Sequence, residues 1–283
     1  IMDGDGITII TAAIGEAAFK DCTSLTSIAI PTKVKTLGKA IFSGCTSLNS
    51  VRFRDGFLGF ETGSTTMVSQ LPTNSTFYGC TALKSIRLPD SVQKLGSAFA
   101  CSGITDISFN VTEANISSFA FYGCESLKKV EYRGDVKDGR EMSIGTSAFS
   151  GCTSLTTIVK QGETENKLPY GLVKIWREAF KNCTSLASIK LPETCTQFAS
   201  GGYSIFENCT SLTELDLSMV TTLQIGVTRN CSSLTKIILS EDLLELPADM
   251  FVGCTSLAEI TLPSNLQKII TNQNSNMGYF QDT

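Results

Sequence analysis

The sequence predicts an α/β solenoid of about ten stacked coils, with residues 1–283 forming one domain. A parallel β-sheet should run along one side, with short helical or 3₁₀ turns and short second strands opposite. Three observations predict this. The phrase FKDCTSLTSIAIP at residues 19–31 recurs with small changes to the end of the chain. Aligned on its cysteine it gives ten copies, with Cys22, Cys45, Cys80, Cys101, Cys124, Cys152, Cys183, Cys209, Cys231 and Cys254 in one column, at the 20–50-residue period of repeat architectures. Each copy also has Leu or Ile three residues after the cysteine and an aliphatic residue three further on, as in Leu25 and Ile28 or Leu155 and Ile158.

Within a unit, the Leu-x-x-Ile-x-Ile segment alternates and so reads as a strand with one face buried. In the first unit Leu25, Ile28 and Ile30 face the core, while Ser27 and Ala29 face out. Pro31, Pro89, Pro192 and Pro263 close their strands, because proline cannot donate to a ladder. The Ala-Phe-x-x-Cys stretch is too short for a full helix and predicts a single helical or 3₁₀ turn with its phenylalanine inward. Two copies are irregular. The fourth is one residue short between Phe99 and Cys101, and the ninth has Thr228 in the phenylalanine column, marking a weak layer unless Val227 fills the slot.

Followed by Pro and an apolar pair such as Val92 and Leu95, then Gly96, Ala98 and Phe99, the phrase resembles the BspA-type leucine-rich repeat. The resemblance covers nearly the whole chain. It implies a leucine-rich-repeat right-handed solenoid from a cell-surface or secreted protein. The usual role of that family is non-catalytic binding and adhesion to a host or extracellular-matrix protein, with a glycan as a further option. It implies no catalytic residues.

Coil length varies mainly between the strand and the next phenylalanine, where insertions should project from one side of the stack. The largest, about residues 54–76, carries Phe57 and Phe60. These read as a satellite cluster covering the local edge rather than as a ligand-contacting loop. In the sixth unit Lys160 occupies a slot that is aliphatic or aromatic elsewhere. Burying it unpaired would be costly, so the strand is expected to end at Val159 and to lead Lys160 out to water. The chain closes around Tyr279 and Phe280 in a last coil that is either incomplete or serves as a cap.

Composition excludes several functions. A formal charge of −4 is not that of a general nucleic-acid binder, and no run of 18 apolar residues exists to span a membrane. With no histidine, Ser-His-Asp and Cys-His catalysis and the usual zinc sites are missing. Neither cofactor nor metal is expected. Ten of the eleven cysteines, one per coil at a fixed phase, form a ladder of buried reduced thiols, because stacked Cβ atoms about 4.8 Å apart are too distant for a disulfide. Cys195 alone is out of register. It is the best candidate for a reactive thiol, although a plain loop position is the simpler reading.

The outward residues of the strands stack into columns, so the sequence maps a surface. Arg52, Arg54, Arg87, Lys129 and Arg133 form a basic cluster on units two to five, while Glu214, Asp216 and Glu259 are acidic on the later units. Such charges usually form a solvated face. The functional reading is a polarised binding surface, since solenoids bind partners on extended faces and arginine suits carboxylate recognition. Two less favoured functions are a spacer displaying another domain and a glycan-acting enzyme using Glu214 and Asp216. An exposed carboxylate pair on an open sheet has nothing to raise one pKa.

Overall fold

The computed structural model describes residues 12–60, 72–93, 95–110, 116–134, 136, 141–199, 201 and 203–270. The alternating phrase forms the front strands β2 (Ser27–Ala29), β4 (Ser50–Arg52), β6 (Ser85–Arg87), β7 (Asp106–Asn110), β8 (Lys129–Arg133), β10 (Thr157–Lys160), β13 (Glu214–Leu217) and β14 (Lys236–Leu239). Equivalent positions pair in register, for example Ile107 with Val130 and Val130 with Ile158, and every ladder is parallel. The segment holding the second apolar pair forms short back strands in several coils. They are β1 (Ala12–Ile14), β3 (Val34–Leu37), β5 (Gly59–Phe60), β9 (Met142–Ile144), β11 (Leu172–Ile175), β12 (Gln197–Phe198), β15 (Glu245–Leu246) and β16 (Lys268–Ile269).

No helix occurs among the described residues, so the expected helical turns are absent and the chain is a parallel β-solenoid. The backbone explains the difference. In the Phe42 turn, Ser43 N–H donates to Ala40 and Cys45 N–H to Phe42, but the intervening N–H groups of Ala40, Phe42 and Gly44 donate to Asn74, Thr76 and Tyr78 of the next coil. Half of the turn's donors therefore serve the stack. The alternation requires left-handed residues at Ala40 (φ 51°) and Gly44 (φ 77°), which interrupt any helix.

One core runs the length of the stack. Phe19, Phe42, Phe77, Phe99, Phe121, Phe149, Phe180 and Phe206 stack in one column with centroids 5.2–5.6 Å apart and planes within 16° of parallel. Thr228 interrupts the column. Both Val227 and Thr228 are buried, and the Thr228 hydroxyl donates to the Met250 carbonyl, so the layer keeps its polar group satisfied. Phe57 and Phe60 are buried and ring-packed with Phe53, and Phe60 also meets Phe77 and Phe99. They belong to the main core rather than to a satellite cluster at its edge. Residues 61–71 of that insertion, and the terminal Tyr279 and Phe280, lie outside the described residues.

Three expectations need correction. The fourth unit is short after its thiol position, not before it. Ser102 is buried, its N–H donates to Phe99, and its hydroxyl lies 3.6 Å from Cys124 Sγ, so Ser102 occupies the ladder position. Cys101 takes the preceding left-handed position (φ 53°), filled by Gly79 and Gly123 in the adjacent coils, and is half-buried. The sixth strand does not end at Val159, because Lys160 pairs with Tyr132 in the β10–β8 ladder while its side chain stays partly exposed. The insertion after it does not simply project. Asn166 Oδ1 accepts from Ile158 N–H, its Nδ2 donates to the Thr156 and Ser188 carbonyls, and Lys167 N–H donates to Ile158. Lys190 N–H donates back to Asn166, so residues 166–168 are stitched between β10 and the seventh coil as an extra rung.

Candidate functional site

The front strands display their outward columns over the whole stack. Arg52, Arg54 and Arg87 are exposed and carry no ion pair among the described residues. The other two members of the basic cluster are engaged. Lys129 Nζ lies 2.7 Å from Glu131 on its own strand. Arg133 reaches back from the fifth coil to the third, with Nη2 2.8 Å from Asp90 and 3.1 Å from the Leu88 carbonyl.

These residues line two adjoining depressions. One, of about 620 Å³, holds Arg52, Arg87 and Arg133 together with Asp55 and Asp90. The other, of about 490 Å³, holds Arg87, Lys129 and Arg133 together with Asp106 and Glu131. Arg54 lines neither. The cluster is thus interleaved with carboxylates rather than uniformly positive. Asp55 and Asp90 lie just beyond their strands, where a reading of strand columns alone does not reach them.

A third depression, of about 570 Å³, lies over the later coils and is walled by the stitched insertion. Glu214, Asp216 and Lys236 line it, with Lys190 ion-paired to Glu165 at its rim. Hydrogen bonding to Lys190 holds the Glu165 carboxyl below the usual range. The structure therefore places Glu214 and Asp216 together but separates Glu259, which lines a different recess with Thr235 and Glu241.

The BspA type Leucine rich repeat region matches residues 68–166 and 160–279, in six copies. The chain belongs to the BspA-type leucine-rich repeat family. It is similar to a leucine-rich repeat protein of known structure from Bacteroides ovatus, with 25% identity and TM-score 0.56 over 91% of this chain and 75% of that one. It also matches a T. pallidum leucine-rich repeat protein, with 29% identity and TM-score 0.48 over 58% of this chain and 72% of that one. A Eubacterium ventriosum leucine-rich repeat protein matches at 19% identity and TM-score 0.48, over 91% and 78% of the two chains. No curated protein matches the chain.

In this BspA-type chain the thiols serve the coil. From Cys45 onward each ladder thiol donates to a main-chain carbonyl of the preceding coil, as Cys124 does to Phe99 at 2.9 Å, Cys152 to Phe121 at 3.1 Å and Cys254 to Thr228 at 3.2 Å. Burial raises these thiols far from reactivity, with Cys80 and Cys124 pushed up to about 12. Cys195, the out-of-register candidate, is fully buried and also pushed up to about 12 by burial, so it is a core residue and not a reactive one. The accessible thiols are the exposed Cys22 and the half-buried Cys101. Every cysteine is free, and no group of His, Cys, Asp or Glu among the described residues could hold a metal ion. No helix among them is long and apolar enough to cross a membrane.

Proposed function

We propose that the chain is a non-catalytic binding protein of the cell surface or extracellular space, recognising a host or extracellular-matrix protein through the outward face of its front sheet. The observation that carries this reading is the face itself. The parallel front strands, continued by bridges through the seventh coil, expose two columns of side chains along the stack, with Arg52 and Arg87 in one of them and Arg54 just beyond its strand, none ion-paired among the described residues. Membership of a family of binding scaffolds supports the reading. Solenoids of this kind present partners with an extended surface rather than a cleft.

The test measures association of the full chain with purified host extracellular-matrix proteins on a biosensor at low and high salt. Arg52→Glu with Arg87→Glu should slow association about three- to tenfold at low salt, and the difference should shrink as salt rises. Gln197→Glu on back strand β12 should leave the rate unchanged. An unchanged on-rate for the double variant at low salt would remove the front face from consideration.

A further inference from the structure

The depression over coils three to five contains two donors that the fold leaves without acceptors. Ser108 Oγ and Arg133 Nε are both shielded from solvent, and neither has a hydrogen-bond partner. A buried donor left unpaired is costly, and among the described residues no other front strand carries one. Both groups line the same recess of about 490 Å³. In the ladder Ser108 stands between Arg87 and Glu131, and Arg133 stands opposite Asn110 on the neighbouring strand.

The reason for the orphaned Nε is the reach of Arg133. Its side chain is 18% exposed and lies across the intervening coil, so that Nη2 can meet Asp90 and the Leu88 carbonyl. That pose commits Nη2 to the third coil and leaves the Nε–H without an acceptor. A planar guanidinium offers its donors in a fixed fork, so with Nη2 held the Nε–H is an oriented donor rather than a freely turning one. Arg87 adds an exposed guanidinium with no ion pair at the same place.

We propose that this recess is the anchor point for a single carboxylate, an aspartate or glutamate side chain of a partner protein, held by Arg87, the Nε–H of Arg133 and the Ser108 hydroxyl. The charge balance favours one carboxylate over a polyanion. Of the three cations lining the recess, Lys129 is paired with Glu131 and Arg133 with Asp90, which leaves one, Arg87, without an ion pair among the described residues. A single carboxylate pairs with it. A sulfated glycan chain would instead run its further charges against Asp106, Glu131 and the exposed Asp90. The incoming oxygen reaches Ser108 by displacing the flexible tip of Arg87, and it then gives both orphaned donors an acceptor.

This anchor rests on the front-face reading, and its test needs no partner protein. The full chain, labelled with ¹⁵N, is titrated with N-acetylglutamate α-amide while the arginine Nε–Hε resonances are followed. The Arg133 resonance, assigned through Arg133→Lys, should shift saturably, and the uncharged glutamine analogue should not move it. Arg87→Gln, at an exposed position, should weaken the titration about fivefold, the scale of one charge-assisted contact. Ser108→Ala should weaken it further. The idea fails if Arg133 does not respond, if the glutamine analogue works equally well, if Arg87→Gln has no effect, or if a heparin-derived tetrasaccharide saturates the site more tightly than the glutamate probe. If the anchor fails while matrix-protein association still depends on the front face, only the anchor is lost. If the probe binds while partner association ignores that face, the front-face reading is lost.

Discussion

The first and sixth coils carry the same phrase and bury it to different degrees. In the sixth coil Phe149, Cys152, Leu155 and Ile158 are all buried; in the first, Phe19, Leu25 and Ile28 are only partly buried and Cys22 is exposed. The residue types and spacings are identical or nearly so. What differs is the neighbour on one side: Cys152 Sγ donates to Phe121 of the preceding coil, and the Phe149 ring stacks on both Phe121 and Phe180, whereas among the described residues Phe19 stacks on Phe42 alone. In a repeat protein the phrase supplies half an interface, and the adjoining coil supplies the other half.

The largest expected effect follows from the interior thiols. An unfolded chain releases thiol protons from about pH 8.5–9, whereas burial holds Cys80, Cys124 and Cys195 protonated to about 12. Between those limits the folded state binds more protons than the unfolded one. Stability is therefore undiminished below the ordinary thiol range and falls as pH rises through it. These three thiols alone should remove about 3 kcal/mol by pH 9.5, at about 1 kcal/mol each. Denaturant melts at pH 7 and pH 9.5 measure this, and equal midpoints would contradict a buried, reduced ladder.

The second effect compares the two coils directly. Leu155 is fully enclosed, so Leu155→Ala should cost about 2–5 kcal/mol. Leu25→Ala removes a half-buried side chain and should cost less than half as much. Equal losses in urea melts would mean that burial does not depend on position along the stack.

Much of this architecture was legible in the sequence because its signals are periodic. The period located the front strands, the phenylalanine column and the thiol ladder, and the alternation within Leu-x-x-Ile-x-Ile assigned inward and outward faces. What escaped depends on backbone geometry that the period does not encode. The residue before each ladder cysteine is Asp21, Gly44, Gly79, Gly123, Gly151, Asn182, Asn208, Asn230 or Gly253, and each has positive φ. That run of Gly, Asn and Asp was a visible sign that the turns could not be helical. It also accounts for the repeated Asn-Cys-Thr/Ser triplets, in which Asn208 and Asn230 each donate to the asparagine one coil before.

The candidate site was less legible. All five basic residues lie on or just beyond the front strands, as the columns require, but the ion pairs of Lys129 and Arg133 depend on side-chain reach. So do the positions of Asp55 and Asp90 outside the strands. The stitched rung at Asn166 was equally hidden, since an asparagine whose side chain substitutes for a strand backbone leaves no periodic trace.

The smallest expected effect tests the corrected register of the fourth coil. Alignment on cysteine places Cys101 in the ladder, whereas alignment on phenylalanine places Ser102 three residues after Phe99, where its N–H bonds the Phe99 carbonyl. On the second alignment Cys101 makes no thiol bond to the Phe77 carbonyl, and it is half-buried where every ladder thiol after it is buried. Cys101→Ala should therefore change stability by no more than about 0.5 kcal/mol, as for a substitution outside the core. Cys124→Ala should cost about 1–2 kcal/mol, since it deletes a packed sulfur and a hydrogen bond to Phe99. Reactivity gives an independent readout. A maleimide probe at pH 7.5 should label Cys22 and Cys101 on the native chain and the remaining nine only after denaturation. If Cys101 resists labelling and its alanine variant melts like the Cys124 variant, the cysteine alignment was right, and the missing residue lies before the thiol after all.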